Sequence, residues 1–213
     1  MKRTNLLQEY KRAKKFVLYI GLPSLIGLFF CAEDLISTIF YRGAFSSIDV
    51  INSSYSLMAF SFGLPFFMLM KVLTPAFFAR KDTQTPMYVA LASLCLNVIF
   101  NYYLAFVLDY GHVGIAIGSS LAAIISVLTL EIVLYRDGFI KLKSIVNKFS
   151  LNVVISSLFL IIFLYFYTSE INFMKLTQVE RIFYLSIEVL ASVIIYFSIS
   201  RLMLNKSLRF LFD

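Results

Sequence analysis

Residues 149–167 read FSLNVVISSLFLIIFLYFY, a run without glycine, proline or charge and rich in Phe, Leu and Ile. A strand of an outer-membrane barrel alternates polar and apolar positions over about 10 residues. Here LFLIIFLYF (158–166) is apolar without interruption, so the run reads as a helix. About 17–25 apolar residues cross a hydrocarbon core in that form. Five other stretches have the required length. Six spans are therefore expected near 16–35, 52–79, 87–108, 113–135, 149–167 and 182–200. Composition agrees: 60% of the 213 residues are hydrophobic, 15% are charged, and mean hydropathy is +0.85. The expected fold class is all-α integral membrane, with too little chain outside the spans for a soluble catalytic domain.

The net charge of +7 suggests nucleic acid only until its distribution is read. Lys2, Arg3, Lys11, Arg12, Lys14 and Lys15 precede the first span, and Arg80 and Lys81 follow the second. Arg136, Lys141, Lys143 and Lys148 follow the fourth, and Arg201, Lys206 and Arg209 follow the sixth. Only Arg42, Lys175 and Arg181 fall on the other side, with Lys71 inside a span. The positive-inside rule then places both termini in the cytoplasm. Every basic cluster is juxtamembrane, so no nucleic-acid partner is expected. The first apolar stretch is too long for a signal peptide and lacks a clear small-residue cleavage site. Cys31 and Cys95 differ in depth by roughly 10 Å, which argues against a disulfide. With no CxxC and a single histidine, the sequence indicates no metal site and no cofactor.

Local features add detail. Pro23 in GLPSLIG (21–27) should kink span 1. AEDLISTIFYRGAFSSID (32–49) is amphipathic and reaches the outer interface, where Tyr41 and Arg42 anchor and Gly43 turns the chain. Span 2 contains Pro65 and Pro75, and hydroxyls such as Thr74 can take up the freed carbonyls. Asn97 and Asn101, spaced i,i+4, share one face of span 3. They either bond a neighbouring helix or line a polar cavity. Gly114 and Gly118 form a GxxxG packing face with Ser119, Ser120, Ala122 and Ala123 beside it. His112 sits at the outer boundary. Spans 5 and 6 have few small residues, as suits a lipid-facing pair.

Nucleophile–base pairs and phosphate-binding glycine loops are absent, so the chain does not read as an enzyme. Glu33 and Asp34 belong to the amphipathic 32–49 stretch; three further ions lie within spans: Lys71, Glu131 and Glu188. Lys71 is roughly 13 Å and Glu131 roughly 7 Å from the cytoplasmic end. At those depths they can pair if spans 2 and 4 touch; alternatively Lys71 contacts a phosphate-bearing substrate in a central cavity. Between spans 2 and 3, ARKDTQTP (79–86) makes a compact turn. Arg80 and Lys81 hold its end, Asp82 and Thr83 cap the loop, and Pro86 sits in the next helix's first turn.

The whole stretch KVLTPAFFARKDTQTP (71–86), with FGLPFFMLMKV (62–72) before it, resembles the MurJ (MviN) family of lipid II flippases, in the MOP exporter superfamily. That family has a lysine, a proline, aromatic-Ala-Arg and Asp-Thr-x-Thr-Pro at this spacing. GLPSLIGLFF (21–30) resembles its Gly-Leu-Pro helix, and AEDLISTIFYRGAFSSID its Leu-Phe-x-x-Gly-x-Phe-x-x-x-Asp loop. Asn97 matches an asparagine after the proline turn, and HVGIAIGSSLAA (112–123) resembles a Gly-Leu-Ala segment.

The resemblance implies a fourteen-helix fold of which these six spans correspond to the last six. Residues 1–15 would be a cytoplasmic basic segment and 16–136 four helices of the second transport bundle. Residues 137–148 would be a cytoplasmic loop, and 149–213 a helix pair shaping a groove for the undecaprenyl tail, plus a tail. Met1 falls in the loop before the ninth helix. The implied function is moving lipid II, an undecaprenyl-pyrophosphate-linked peptidoglycan precursor, across the bacterial inner membrane by alternating access. Lys71, Asn97 and Asn101 are the implied cavity residues, and Arg80, Asp82 and Pro86 the cytoplasmic hinge. Lipid II, membrane lipids and a separately encoded first half are the implied partners. The alternatives are a polysaccharide or multidrug exporter of the same superfamily, and an inactive split-gene remnant or assembly partner.

Overall fold

A computed structural model describes residues 3–140 and 148–203. The 137–148 loop with Lys141 and Lys143 therefore lies largely outside the described residues, as does the tail with Lys206 and Arg209. The described chain forms helices α1 (Arg3–Phe30), α2 (Ala32–Phe40), α3 (Ser47–Ser61), α4 (Leu64–Phe78), α5 (Gln84–Tyr102), α6 (Gly111–Arg136), α7 (Lys148–Glu170) and α8 (Gln178–Met203). Six stretches are long and apolar enough to cross a membrane, α3 and α4 together making one of them. The expected all-helical, six-span class holds.

The expected spans change in three ways. α1 is 28 residues long and runs without a break through the expected boundary at residue 15. At 1.5 Å per residue it is about 42 Å long, so its basic first turns extend beyond the apolar stretch. The second span is two helices rather than one bent helix. Its break falls at Phe62 and Gly63, and Pro65 then stands in the first turn of α4. Proline is tolerated there because its missing N–H has no helical acceptor to lose. Finally, α5 ends in a π-helical turn over Tyr103–Val107.

Two apolar cores flank α1. On one side Tyr10 meets Leu73, Ala76 and Phe77 of α4, Val127, Leu130 and Leu134 of α6, and Phe139. On the other, Tyr19 and Ile26 meet Phe149, Val153, Leu160 and Leu164 of α7 and Tyr196 of α8. α1 is thus the wall between a bundle (α1, α3–α6) and the α7–α8 pair. Cys31 and Cys95 are both free.

Helix breaks in an apolar medium leave carbonyls that must find donors. Pro23 has no N–H for the carbonyl of Tyr19, four residues earlier. The Tyr196 hydroxyl, from α8, donates to that carbonyl at 2.7 Å. At the α3–α4 break the Gly63 N–H turns to the Phe60 carbonyl at 3.0 Å. The carbonyl of Ala59 is freed, and the Ser120 hydroxyl of α6 donates to it at 3.0 Å. These donors arrive from neighbouring helices.

Candidate functional site

The turn at 79–83 is fastened to the end of α6. Arg80 ion-pairs with Asp137. Its guanidinium also lies over the rings of Phe77 at 5.7 Å and Phe139 at 5.2 Å. Asp82 accepts the Thr85 N–H at 3.0 Å, and that bond is the first cause holding its carboxyl below the ordinary range. Thr83 makes no capping bond, and Pro86 is buried in the first turn of α5. The expected hinge turn is therefore a braced junction between α4, α5 and α6.

Lys71 and Glu131 do not pair, which corrects that expectation. Glu131 ion-pairs with Lys14 of α1, and the Tyr10 hydroxyl donates to the same carboxylate at 3.2 Å. The reason is azimuth. Leu73, Ala76 and Phe77 form the buried face of α4, and Lys71 lies about 200° round the helix from Leu73. Its side chain is exposed, with no hydrogen bond or ion pair among the described residues. Depth alone had suggested a pair; the extended first turns of α1 put Lys14 there instead.

Asn97 and Asn101 both turn towards α6. The Asn97 amide donates to the Ser119 hydroxyl at 3.1 Å, and the two side-chain amides meet at 2.9 Å. Gly114 and Gly118 let α6 approach this face. A Cβ on Gly114 would stand 2.6 Å from the Leu104 carbonyl carbon, and one on Gly118 3.1 Å from the Phe100 Cβ. Of the two open readings of the asparagines, the geometry here is that of a helix–helix bond. His112 is bonded across helices too: its Nδ1 lies 2.7 Å from the Ser56 hydroxyl.

An apolar groove of about 470 Å³ opens between α1, α7 and α8. Pro23, Ser24, Gly27 and Leu28 of α1 form one wall; Leu160, Val193 and Phe197 form the others. Its lining carries no charged side chain. Polar groups gather instead at its far end, beyond α2. The amphipathic segment expected at the interface turns its polar face inward: Asp34, Ser37 and Thr38 are buried. Arg181 donates to the carbonyls of Phe173 (2.8 Å) and Tyr41 (3.0 Å) and lies 4.6 Å from the Tyr41 ring. Gln178 donates to the Thr38 carbonyl at 2.7 Å. Tyr41 is thus a lid on Arg181, while Arg42 is exposed. The sequence shows Arg181 only as an outer-side charge and does not single out Gln178, because their hydrogen bonds go to backbone carbonyls, which leave no side-chain pattern to find.

A family model described as "Lipid II flippase MurJ" matches residues 2–204. The probable lipid II flippase MurJ of Vibrio cholerae is 36% identical over 124 residues, 58% of this chain and 23% of that protein. The Haemophilus influenzae counterpart is 29% identical over 85% of this chain and 35% of its own length. The lipid II flippase MurJ of Thermosipho africanus is 34% identical over 60% and 26%. A solved lipid II flippase MurJ in an inward closed conformation superposes with a TM-score of 0.74 at 25% identity, over 96% of this chain and 43% of the other. The chain therefore spans a quarter to a third of these curated relatives and under half of the solved structure.

Proposed function

The chain belongs to the MurJ family of lipid II flippases, and from that premise we propose that it works as the last six helices of such a flippase in the bacterial inner membrane. The observation that supports this most is the division of the fold by α1. On one side stands a bundle with an unpaired lysine, and on the other an uncharged groove. A lipid-linked pyrophosphate needs both. A polyprenyl tail is seated by apolar surface, and the pyrophosphate by a cation it reaches without displacing an existing partner. Lys71 is the proposed cation. Asn97 and Asn101 hold α5 to α6 behind it, and Arg80, Asp82 and Pro86 brace the cytoplasmic turn about which α4 and α5 move.

The division into 1–15, 16–136, 137–148 and 149–213 is kept as a proposal, with α1 shared between bundle and groove. Both termini are placed in the cytoplasm by the basic residues. Reporter fusions after Asp109 and after Met203 should then report opposite sides. A separately encoded first half is the proposed partner. Only 6% of the most apolar stretch of the α5 span is buried by this chain, against 50% for α6. The uncovered face of α5 is where such a half would pack.

The test is a chimera. Residues 1–213 replace the matching last helices of the Haemophilus influenzae relative, in cells depleted of their own flippase. Restored growth, and lipid II reaching the outer leaflet, is the expected result. A chimera present in the membrane at normal abundance but unable to flip lipid II would overturn the proposal.

A further inference from the structure

Beyond the groove, α2 and α8 bury two carboxylates together. Glu188 is fully buried, and neither of its oxygens has a hydrogen-bond donor; Asp34 is 5% exposed, with its Oδ2 equally unpartnered. The two side chains neighbour each other and the Cys31 thiol. The thiol is a weak donor beside Glu188; the stronger donors close by are committed elsewhere. The Ser37 and Thr38 hydroxyls donate to the Asp34 carbonyl at 3.1 and 2.6 Å, the Tyr167 hydroxyl to the Tyr184 carbonyl at 3.1 Å, and Arg181 to backbone carbonyls. Glu33 adds a further negative charge nearby. Two adjacent carboxylates with no cation in contact cannot both stay ionised in an apolar interior.

We propose that Asp34 and Glu188 form a proton-binding site at the outer end of the groove, holding a proton between them that fastens α2 to α8. Among the described residues, the elements around it are α1, α2, α7 and α8. No cluster of three or more His, Cys, Asp or Glu among the described residues is arranged for a metal ion. Burial first, and then the Glu188 carboxylate, push Asp34 up to about 8. A proton held more tightly in the folded than the unfolded chain stabilises below the ordinary carboxylate range. That contribution is lost as pH rises through the folded value. Leu35 and Val189, next in sequence to the two acids, line the groove, so proton loss would part α2 from α8 at its mouth.

The probe is dicyclohexylcarbodiimide, an apolar reagent that modifies protonated carboxyls, applied to the full chain in membranes and mapped by peptide mass spectrometry. Glu188 or Asp34 should be labelled at pH 6, and labelling should fall at least about tenfold by pH 9.5, as expected for a carboxyl titrating in between. Asp34→Asn should leave Glu188 reactive. Glu188→Gln, checked for membrane abundance, should leave Asp34 reactive but lower its half-labelling pH by about one unit or more, because the neighbouring charge is gone. No labelling of either residue at any pH would overturn the site. An unchanged Asp34 midpoint in Glu188→Gln would show two independent buried acids rather than a shared proton. Protection by sodium at constant pH would make it a cation site instead, and would equally overturn the proposal.

Discussion

The hydroxyl of Tyr196, on α8, donates to the carbonyl of Tyr19, on α1, at 2.7 Å. That carbonyl is the acceptor which Pro23 leaves without a helical donor. The Ser200 hydroxyl then donates to the Tyr19 hydroxyl at 3.0 Å. A carbonyl freed by proline in one helix is thus satisfied by a side chain of another, and the same bond fixes α8 against the wall of the groove. Proline removes the helical donor, and tyrosine supplies another.

This relationship is measurable as a coupling. Tyr196→Phe leaves a buried carbonyl without a donor and should cost about 1–2 kcal/mol, within the range for orphaned buried groups and for hydrogen bonds between membrane helices. Pro23→Ala restores the helical N–H, so Tyr196→Phe in that background should cost much less. A double-mutant cycle in detergent-solubilised unfolding reads the difference. Equal costs in both backgrounds would mean that the tyrosine packs rather than satisfies the carbonyl.

Two glycines should respond in opposite directions to alanine. Gly114→Ala forces a methyl against the Leu104 carbonyl carbon, 2.6 Å away, and against the Ala105 nitrogen. Backbone cannot give way as a side-chain tip can, so α6 must shift from the π-helical turn, at about 1–3 kcal/mol. Gly27 has nothing within 4 Å of its would-be Cβ. Gly27→Ala should be neutral or stabilise α1 by up to about 1 kcal/mol, while narrowing the groove. Thermal denaturation of the two variants side by side decides the matter.

The ion assignments separate folding from transport. Lys14→Ala removes the partner of Glu131 and should lower stability by about 1 kcal/mol, discounted for the partial exposure of both side chains. Exchanging Lys14 and Glu131 should recover most of that. Lys71→Ala touches no partner and should change stability by no more than about 0.5 kcal/mol. In a full-length flippase the same change should abolish lipid II flipping at unchanged membrane abundance. Flipping at the normal rate would remove Lys71 from the proposed substrate path.

The spans were legible because burial in lipid is a property of composition, and runs such as LFLIIFLYF carry it in every residue. The break at Gly63 was not, since hydropathy is blind to a backbone turn flanked by Phe62 and Leu64. Depth placed Lys71 and Glu131 at compatible levels, but depth does not give azimuth, and the partner came from Lys14, assigned to the segment before the first span. Asp34, Ser37 and Thr38 gave α2 a polar face that looked made for water. It faces inward with its Ser37 and Thr38 hydroxyls bonded back to the Asp34 carbonyl, while Arg181 and Gln178 reach the Ser37 and Thr38 carbonyls, and a donor to backbone leaves no trace in the sequence of its acceptor.

Residues 1–213 expressed by themselves should not flip lipid II. Alternating access moves two bundles against each other around a central site, and this chain matches 43% of the solved flippase. The exposed Lys71 and the open face of α5 would then meet lipid. Left there, each polar group costs about 0.6–3 kcal/mol, from helix-contact to insertion scales. Expression with a separate first half should cover those faces, raise the membrane abundance of both pieces and restore growth to cells depleted of their own flippase. Abundance by immunoblot separates a chain that is degraded from one that is present but idle. Full rescue by residues 1–213 without a partner would show that this set of helices completes a transport path.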